Sequence, residues 1–154
     1  MTALLQAVGI KKYFPAGGGL FGTSRFVRAV ENVSLSIREG ETLGLAGESG
    51  CGKTTLARVL LGLLPPTSGQ VFFEGREITQ KNGWTNALRR RIQIIFQDPF
   101  SSLNPRMRVG EIVGEPLVIH GRASGKALHQ RGGEILERVG LESQAAGRYP
   151  HEFS

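Results

Sequence analysis

The chain has 154 residues, the size of one domain, with 40% hydrophobic and 21% charged residues, enough apolar material for a single core. Its formal charge of +6, from 19 Lys+Arg against 13 Asp+Glu, is scattered along the chain, and the 7% of aromatic residues do not interleave with it, which argues against a nucleic-acid surface. No apolar run approaches the roughly 18 residues of a membrane span, the first residues lack the charge and apolar core of a secretory signal, and a single cysteine, Cys51, excludes an intramolecular disulfide and fits a reducing compartment.

Residues 4–10 predict a first strand, and residues 16–22, rich in glycine, predict a loop. Residues 26–37 alternate in part, with Val33, Leu35 and Ile37 on one face, and predict a second strand. A turn at residues 38–41 leads to a short apolar, β-prone run at 42–46, which enters a cluster of glycines. Residues 53–64 predict a helix stopped by Pro65-Pro66. Residues 70–74, bounded by Gly69 and Gly75, predict another strand. The basic triple Arg89-Arg90-Arg91 reads as a solvated face and leads into a strongly β-prone run at 92–96. Residues 98–106 predict a loop. Residues 109–120 and 126–139 predict helices, the second weakened by Gly132-Gly133, and the pattern fades after Gly140.

The most informative segment is Gly47-Glu48-Ser49-Gly50-Cys51-Gly52-Lys53-Thr54-Thr55, which fits G-x-x-x-x-G-K-[ST]. Glycines let the backbone curl so that several N–H groups converge on one cluster of phosphate oxygens. The helix that follows begins with unpaired N–H donors and a partial positive charge. Lys53 adds a full charge for the β- and γ-phosphates, and the Thr54 hydroxyl is placed to ligate Mg²⁺. The segment therefore predicts a site for ATP with Mg²⁺. Cys51 lies inside the loop and reads as a small filler; its alternative is a redox-sensitive thiol beside the nucleotide.

Further along, Ile94-Ile95-Phe96-Gln97-Asp98-Pro99 resembles the Q-loop of ABC ATPases, a glutamine directly after a buried strand. The longer run from Phe96 to Arg106, with Leu60-Leu61-Gly62-Leu63-Leu64-Pro65-Pro66 and the glycine-rich insert before Phe26, is similar to the ATP-binding subunits of oligopeptide, dipeptide and nickel importers. The likeness covers essentially the whole chain. It implies an α/β fold of the P-loop NTPase, ABC type: an N-terminal antiparallel β part, an incomplete parallel core sheet and the start of a helical subdomain. The implied boundary falls near residue 97, giving parts of about 1–97 and 98–154. The resemblance assigns Gln97 to Mg²⁺ and the attacking water. It also implies an aromatic ring ahead of the phosphate loop that stacks on adenine, at Tyr13, with Phe14 as the alternative.

The implied partners are membrane permease subunits, a second ATP-binding subunit and, indirectly, an extracytoplasmic solute-binding protein, at the cytoplasmic face of the membrane. Nucleic acid is not expected. The chain reaches Pro150-His151-Glu152-Phe153-Ser154, a run that introduces the family's Ser-Gly-Gly-Gln signature. The signature glycines, the acidic strand with the catalytic glutamate and the switch histidine do not occur in these 154 residues. The expectation is nucleotide binding without hydrolysis, since Glu48 and Asp98 match no catalytic position. Unpaired strand edges further predict a poorly soluble or molten isolated chain. The alternatives are a truncated, non-functional product, and a soluble ABC-type protein acting on nucleic acid or ribosomes, which only the charge favours.

Overall fold

In the computed structural model, which describes residues 3–16, 25–79, 83–98 and 102–153, the chain divides into two units, Met1–Ile94 and Ile95–Ser154. The glycine-rich loop after Ala16, residues 99–101 of the run after Gln97, and Ser154 lie outside the described residues.

The first unit is built on a four-stranded sheet. Strand β1 (Leu5–Pro15) lies between β2 (Phe26–Ile37) and β3 (Ser68–Phe73), and a short β4 (Arg76–Glu77) pairs with β3; every pairing is antiparallel. Leu5 stands opposite Ile37 on one side and Phe73 on the other. The strand predicted to end at Ile10 continues to Pro15, because the sheet absorbs breaks in alternation as bulges. Against β2 the register shifts between Ala7 and Ile10, Ile10 and Lys12, and Lys12 and Tyr13. The β3–β4 hairpin turns on Glu74 (φ 50°) and Gly75 (φ 76°), the two left-handed residues that a tight hairpin with the native twist requires.

Helix α1 (Lys53–Leu60) places Leu56 and Val59 against Ala7, Ile10, Val30, Val71, Phe73 and Ile78, and these side chains form the buried core. The helix stops well before Pro65-Pro66. Gly62 (φ 65°) takes the left-handed position; its N–H donates to the Val59 carbonyl at 3.0 Å, and the Leu63 N–H donates to the Arg58 carbonyl at 2.9 Å. These two bonds satisfy carbonyls that the last turn leaves open, so a glycine rather than a proline ends the helix. Helix α2 (Asn86–Arg91), which the sequence pattern does not reveal, starts where the Thr85 hydroxyl accepts from the Leu88 N–H at 3.2 Å.

Two predicted strands are not formed. Residues 42–46 have no strand partner among the described residues, and Leu43 and Leu45 are exposed. The run at 92–96, read as a buried strand, is irregular, and Ile95 is 96% exposed. β-propensity measures fit to a pleated, half-buried surface rather than an intrinsic backbone preference. Such residues stay unpaired when no neighbouring strand offers a ladder, and the described residues offer none.

The second unit contains α3 (Val109–Ile119), α4 (Gly125–Arg138) and the 3₁₀ turns Ser143–Gly147 and Pro150–Glu152. Glu111 accepts from the Arg108 N–H at 2.8 Å, placing a carboxylate at the positive end of α3. Gly132 and Gly133 do not break α4; both are buried inside it. A Cβ on Gly133 would lie 3.3 Å from the Ser143 Cβ, and one on Gly114 would lie 3.0 Å from the Leu128 Cδ1. Close packing between helices thus offsets the propensity cost of these glycines. Among the described residues no helix is long and apolar enough to cross a membrane.

Candidate functional site

The segment from Gly47 to Thr55 curls at the start of α1. Gly47 (φ 152°), Gly50 (φ 82°) and Gly52 (φ 98°) all adopt positive φ, and the Cys51 N–H closes a turn on the Glu48 carbonyl at 3.3 Å. At Gly52 a side chain is excluded twice: the backbone is left-handed, and a Cβ would lie 2.1 Å from the Ala29 carbonyl oxygen of β2. A Cβ on Gly47 would lie 2.7 Å from the Cys51 Sγ.

Helix α1 begins directly after this contact. Its Leu56 N–H donates to the Gly52 carbonyl at 2.9 Å, while the amides of Lys53, Thr54 and Thr55 find no main-chain acceptor among the described residues. Three free donors at a helix start are what an anion site requires. The Lys53 ammonium folds back over the loop and donates to the Gly47 carbonyl at 2.7 Å and the Glu48 carbonyl at 2.6 Å, with the Cys51 Sγ 3.5 Å away. Glu48, Ser49 and Cys51 are exposed, as is Thr54 in the first turn of the helix, and Thr55 is half-buried.

Tyr13 sits on β1 within a charged cluster. Its hydroxyl donates to the Glu31 carboxylate, 2.8 Å from Oε1 and 2.7 Å from Oε2, and its N–H donates to the Thr67 hydroxyl at 2.9 Å. Lys11 pairs with Glu31 at 3.3 Å, and Arg28 lies 3.9 Å from Glu31 and 5.8 Å from the centre of the Tyr13 ring. The hydrogen bond from Tyr13, with the help of Lys11 and Arg28, holds the Glu31 carboxyl below the usual glutamate range, and the same bond pushes the Tyr13 phenol up. Phe14, the alternative stacking residue, is exposed with the Lys12 ammonium 5.2 Å from its ring centre.

Gln97 is exposed at a bend and belongs to the second unit, whereas Tyr13 and the phosphate loop belong to the first. The structure thus gathers the phosphate-loop residues around one helix start. Glu31, Arg28 and Ala29 have no motif to announce them. Their positions depend on the bulges in the β1–β2 ladder, and no period-two pattern reports a bulge.

The sequence profile described as ABC transporter matches residues 30–154. The chain belongs to the ABC transporter family. It is similar to the dipeptide transport ATP-binding protein DppF of Haemophilus influenzae, at 44% identity over 154 residues, covering 99% of this chain and 47% of that protein. It is also similar to the glutathione import ATP-binding protein GsiA of Salmonella typhimurium, at 50% identity over 153 residues, covering 98% of this chain and 25% of that protein. This ABC chain therefore spans about half the length of the first relative and a quarter of the second. Among solved structures it resembles the ATP-binding cassette MJ0796, a dimer in a post-hydrolysis state bound to ADP and Pi, with a TM-score of 0.75 and 29% identity over 97% of this chain and 63% of that one. Its fold is the α/β fold of ABC ATPases, with a four-stranded antiparallel sheet and no parallel ladder among the described residues.

Proposed function

We propose that this chain is the nucleotide-binding portion of an energy-coupling subunit of an ABC importer for peptides or similar small solutes. The observation that carries the reading is the glycine loop pinned against β2 at Gly52, with free amides opening α1 and an ammonium folded over the loop. These groups bring positive charge and free N–H donors together where phosphate oxygens need them.

In this reading the amides of Lys53, Thr54 and Thr55 receive phosphate oxygens. The Lys53 ammonium exchanges its carbonyl partners for the β- and γ-phosphates, and the Thr54 hydroxyl supplies one oxygen ligand to Mg²⁺. Bound Mg²⁺ neutralises phosphate charge and typically keeps several waters, so a single protein hydroxyl beside the phosphates fits its chemistry. Tyr13 stacks on the base, and Gln97 would offer its side-chain oxygen to Mg²⁺. No step of hydrolysis is assigned to the described residues. The subunit works with permease subunits and a second ATP-binding subunit at the cytoplasmic membrane face, and a solute-binding protein acts through the permease.

ATP titration of the chain and of Lys53→Ala tests the reading. The substitution should lower affinity about tenfold or more, the loss of a charged hydrogen-bond donor. Equal affinity in the two proteins would remove the phosphate-loop assignment.

A further inference from the structure

We infer that Glu31 is a positioning residue for Tyr13, and that residues 28–31 of β2 form one device aligning the base-stacking ring with the phosphate loop. This rests on the nucleotide reading above. Three observations carry it. First, the Glu31 carboxylate takes the Tyr13 hydroxyl at 2.7–2.8 Å while Thr67 takes the Tyr13 N–H at 2.9 Å, so the residue is held at its backbone and at its tip. Second, Arg28 lies over one face of the ring, 5.8 Å from its centre, so the position of the ring is set on that side as well. Third, Ala29, between Arg28 and Glu31 in sequence, puts its carbonyl so close to Gly52 that a Cβ there would meet it at 2.1 Å.

The bulges explain how one short segment serves both sites. Lys12 pairs with Val30 and Tyr13 with Arg28, so Ala29 is the extra residue and its carbonyl is released from regular alternation. A second irregularity follows between Lys12 and Ile10, where Ile10 pairs with Val33 and Asn32 is left-handed at φ 51°. This sets Glu31 beside Lys11 and Tyr13. The ion pairs in the cluster are exposed and contribute little to stability. Their effect should therefore appear in base recognition rather than in folding.

The test compares affinities for ATP and for inorganic tripolyphosphate, which lacks the base, in the 154-residue chain and in Tyr13→Ala, Glu31→Ala, Glu31→Gln and the double alanine variant. The ratio of the two affinities removes the effect of unpaired Lys11 and Arg28 charges on phosphate attraction. Tyr13→Ala and Glu31→Ala should each lower the ratio about three- to tenfold, and the double variant should lose no more than either alone. Glu31→Gln keeps an oxygen that accepts from the phenol and should recover most of the loss. An unchanged ratio in Glu31→Ala beside a lowered one in Tyr13→Ala overturns the positioning role. So does a glutamine variant that behaves like alanine. If Tyr13→Ala also leaves the ratio unchanged while Lys53→Ala weakens ATP, the stacking role of Tyr13 fails and this inference with it. If the unsubstituted chain binds neither probe, the nucleotide reading itself is wrong.

Discussion

Replacing Gly52 by alanine tests how the phosphate loop is fixed to the sheet, and Gly50→Ala is its internal control. Both glycines have positive φ, 98° and 82°, so both alanines carry a left-handed backbone cost of roughly 1–2 kcal/mol. A Cβ on Gly50 meets nothing within 4 Å, whereas one on Gly52 lies 2.1 Å from the Ala29 carbonyl oxygen. Ordinary contact needs about 3.4 Å, so the start of α1 or the β2 backbone must move by about an ångström, and overpacking of this kind costs about 1–3 kcal/mol more. Gly52→Ala should therefore lower stability by about 2–5 kcal/mol and Gly50→Ala by about 1–2 kcal/mol. A urea titration followed by the fluorescence of Trp84, the one tryptophan, reads the difference in the right unit, since Trp84 packs against the core of the sheet. If the two variants unfold at the same midpoint, the Gly52–Ala29 contact does not anchor the loop.

Two further predictions concern surface charge and exposed apolar residues. Glu74 accepts two hydrogen bonds from Arg91, whose guanidinium holds its carboxyl below the usual range, and Tyr13 does the same for Glu31. With folded values below unfolded ones, the stabilising contribution is complete above the ordinary glutamate value of about 4.3 and disappears as pH falls through the lowered values. For exposed pairs such as these the effect on the urea midpoint is small, so the shifts are read at the carboxyls themselves. Carboxyl NMR titration should find both groups below the ordinary glutamate value, and values at or above it would contradict the geometry. Leu43, Leu45 and the run Ile94-Ile95-Phe96 expose apolar surface, so the 154-residue chain should bind the dye ANS and self-associate. Leu45→Lys with Ile95→Lys should reduce both without changing helicity by circular dichroism; a dye-silent monomer would refute the expectation.

What the sequence discloses here is mostly local. The bounds of β2, the start of α1 at Lys53 and the curl of the glycine loop follow from alternation, charge and glycine placement within a few residues. The unread features depend on distant partners. Residues 42–46 and 92–96 have strand composition, but a strand exists only with a neighbour, and composition cannot say whether one is supplied. Helix α1 ends at a glycine because Gly62 can adopt φ 65° while Trp84 fills the space a side chain would need, a contact between residues far apart in sequence. The Glu31–Tyr13 bond is hidden for a similar reason, because it reaches across a ladder whose bulges no period-two pattern reports. Gly132 and Gly133 look like helix breakers until the close approach of Ser143 is known.

The Lys53 ammonium is already tethered by two carbonyls of its own loop. A side chain so restrained has given up most of its rotamer freedom in advance, and little entropy remains to be lost when an anion replaces those carbonyls. The carbonyls are neutral and leave the cation's net charge intact, so an approaching phosphate still feels it at long range, screened by salt as any exposed charge is. Capture by this loop should accordingly join a salt-dependent approach to a local exchange of partners that costs little ordering.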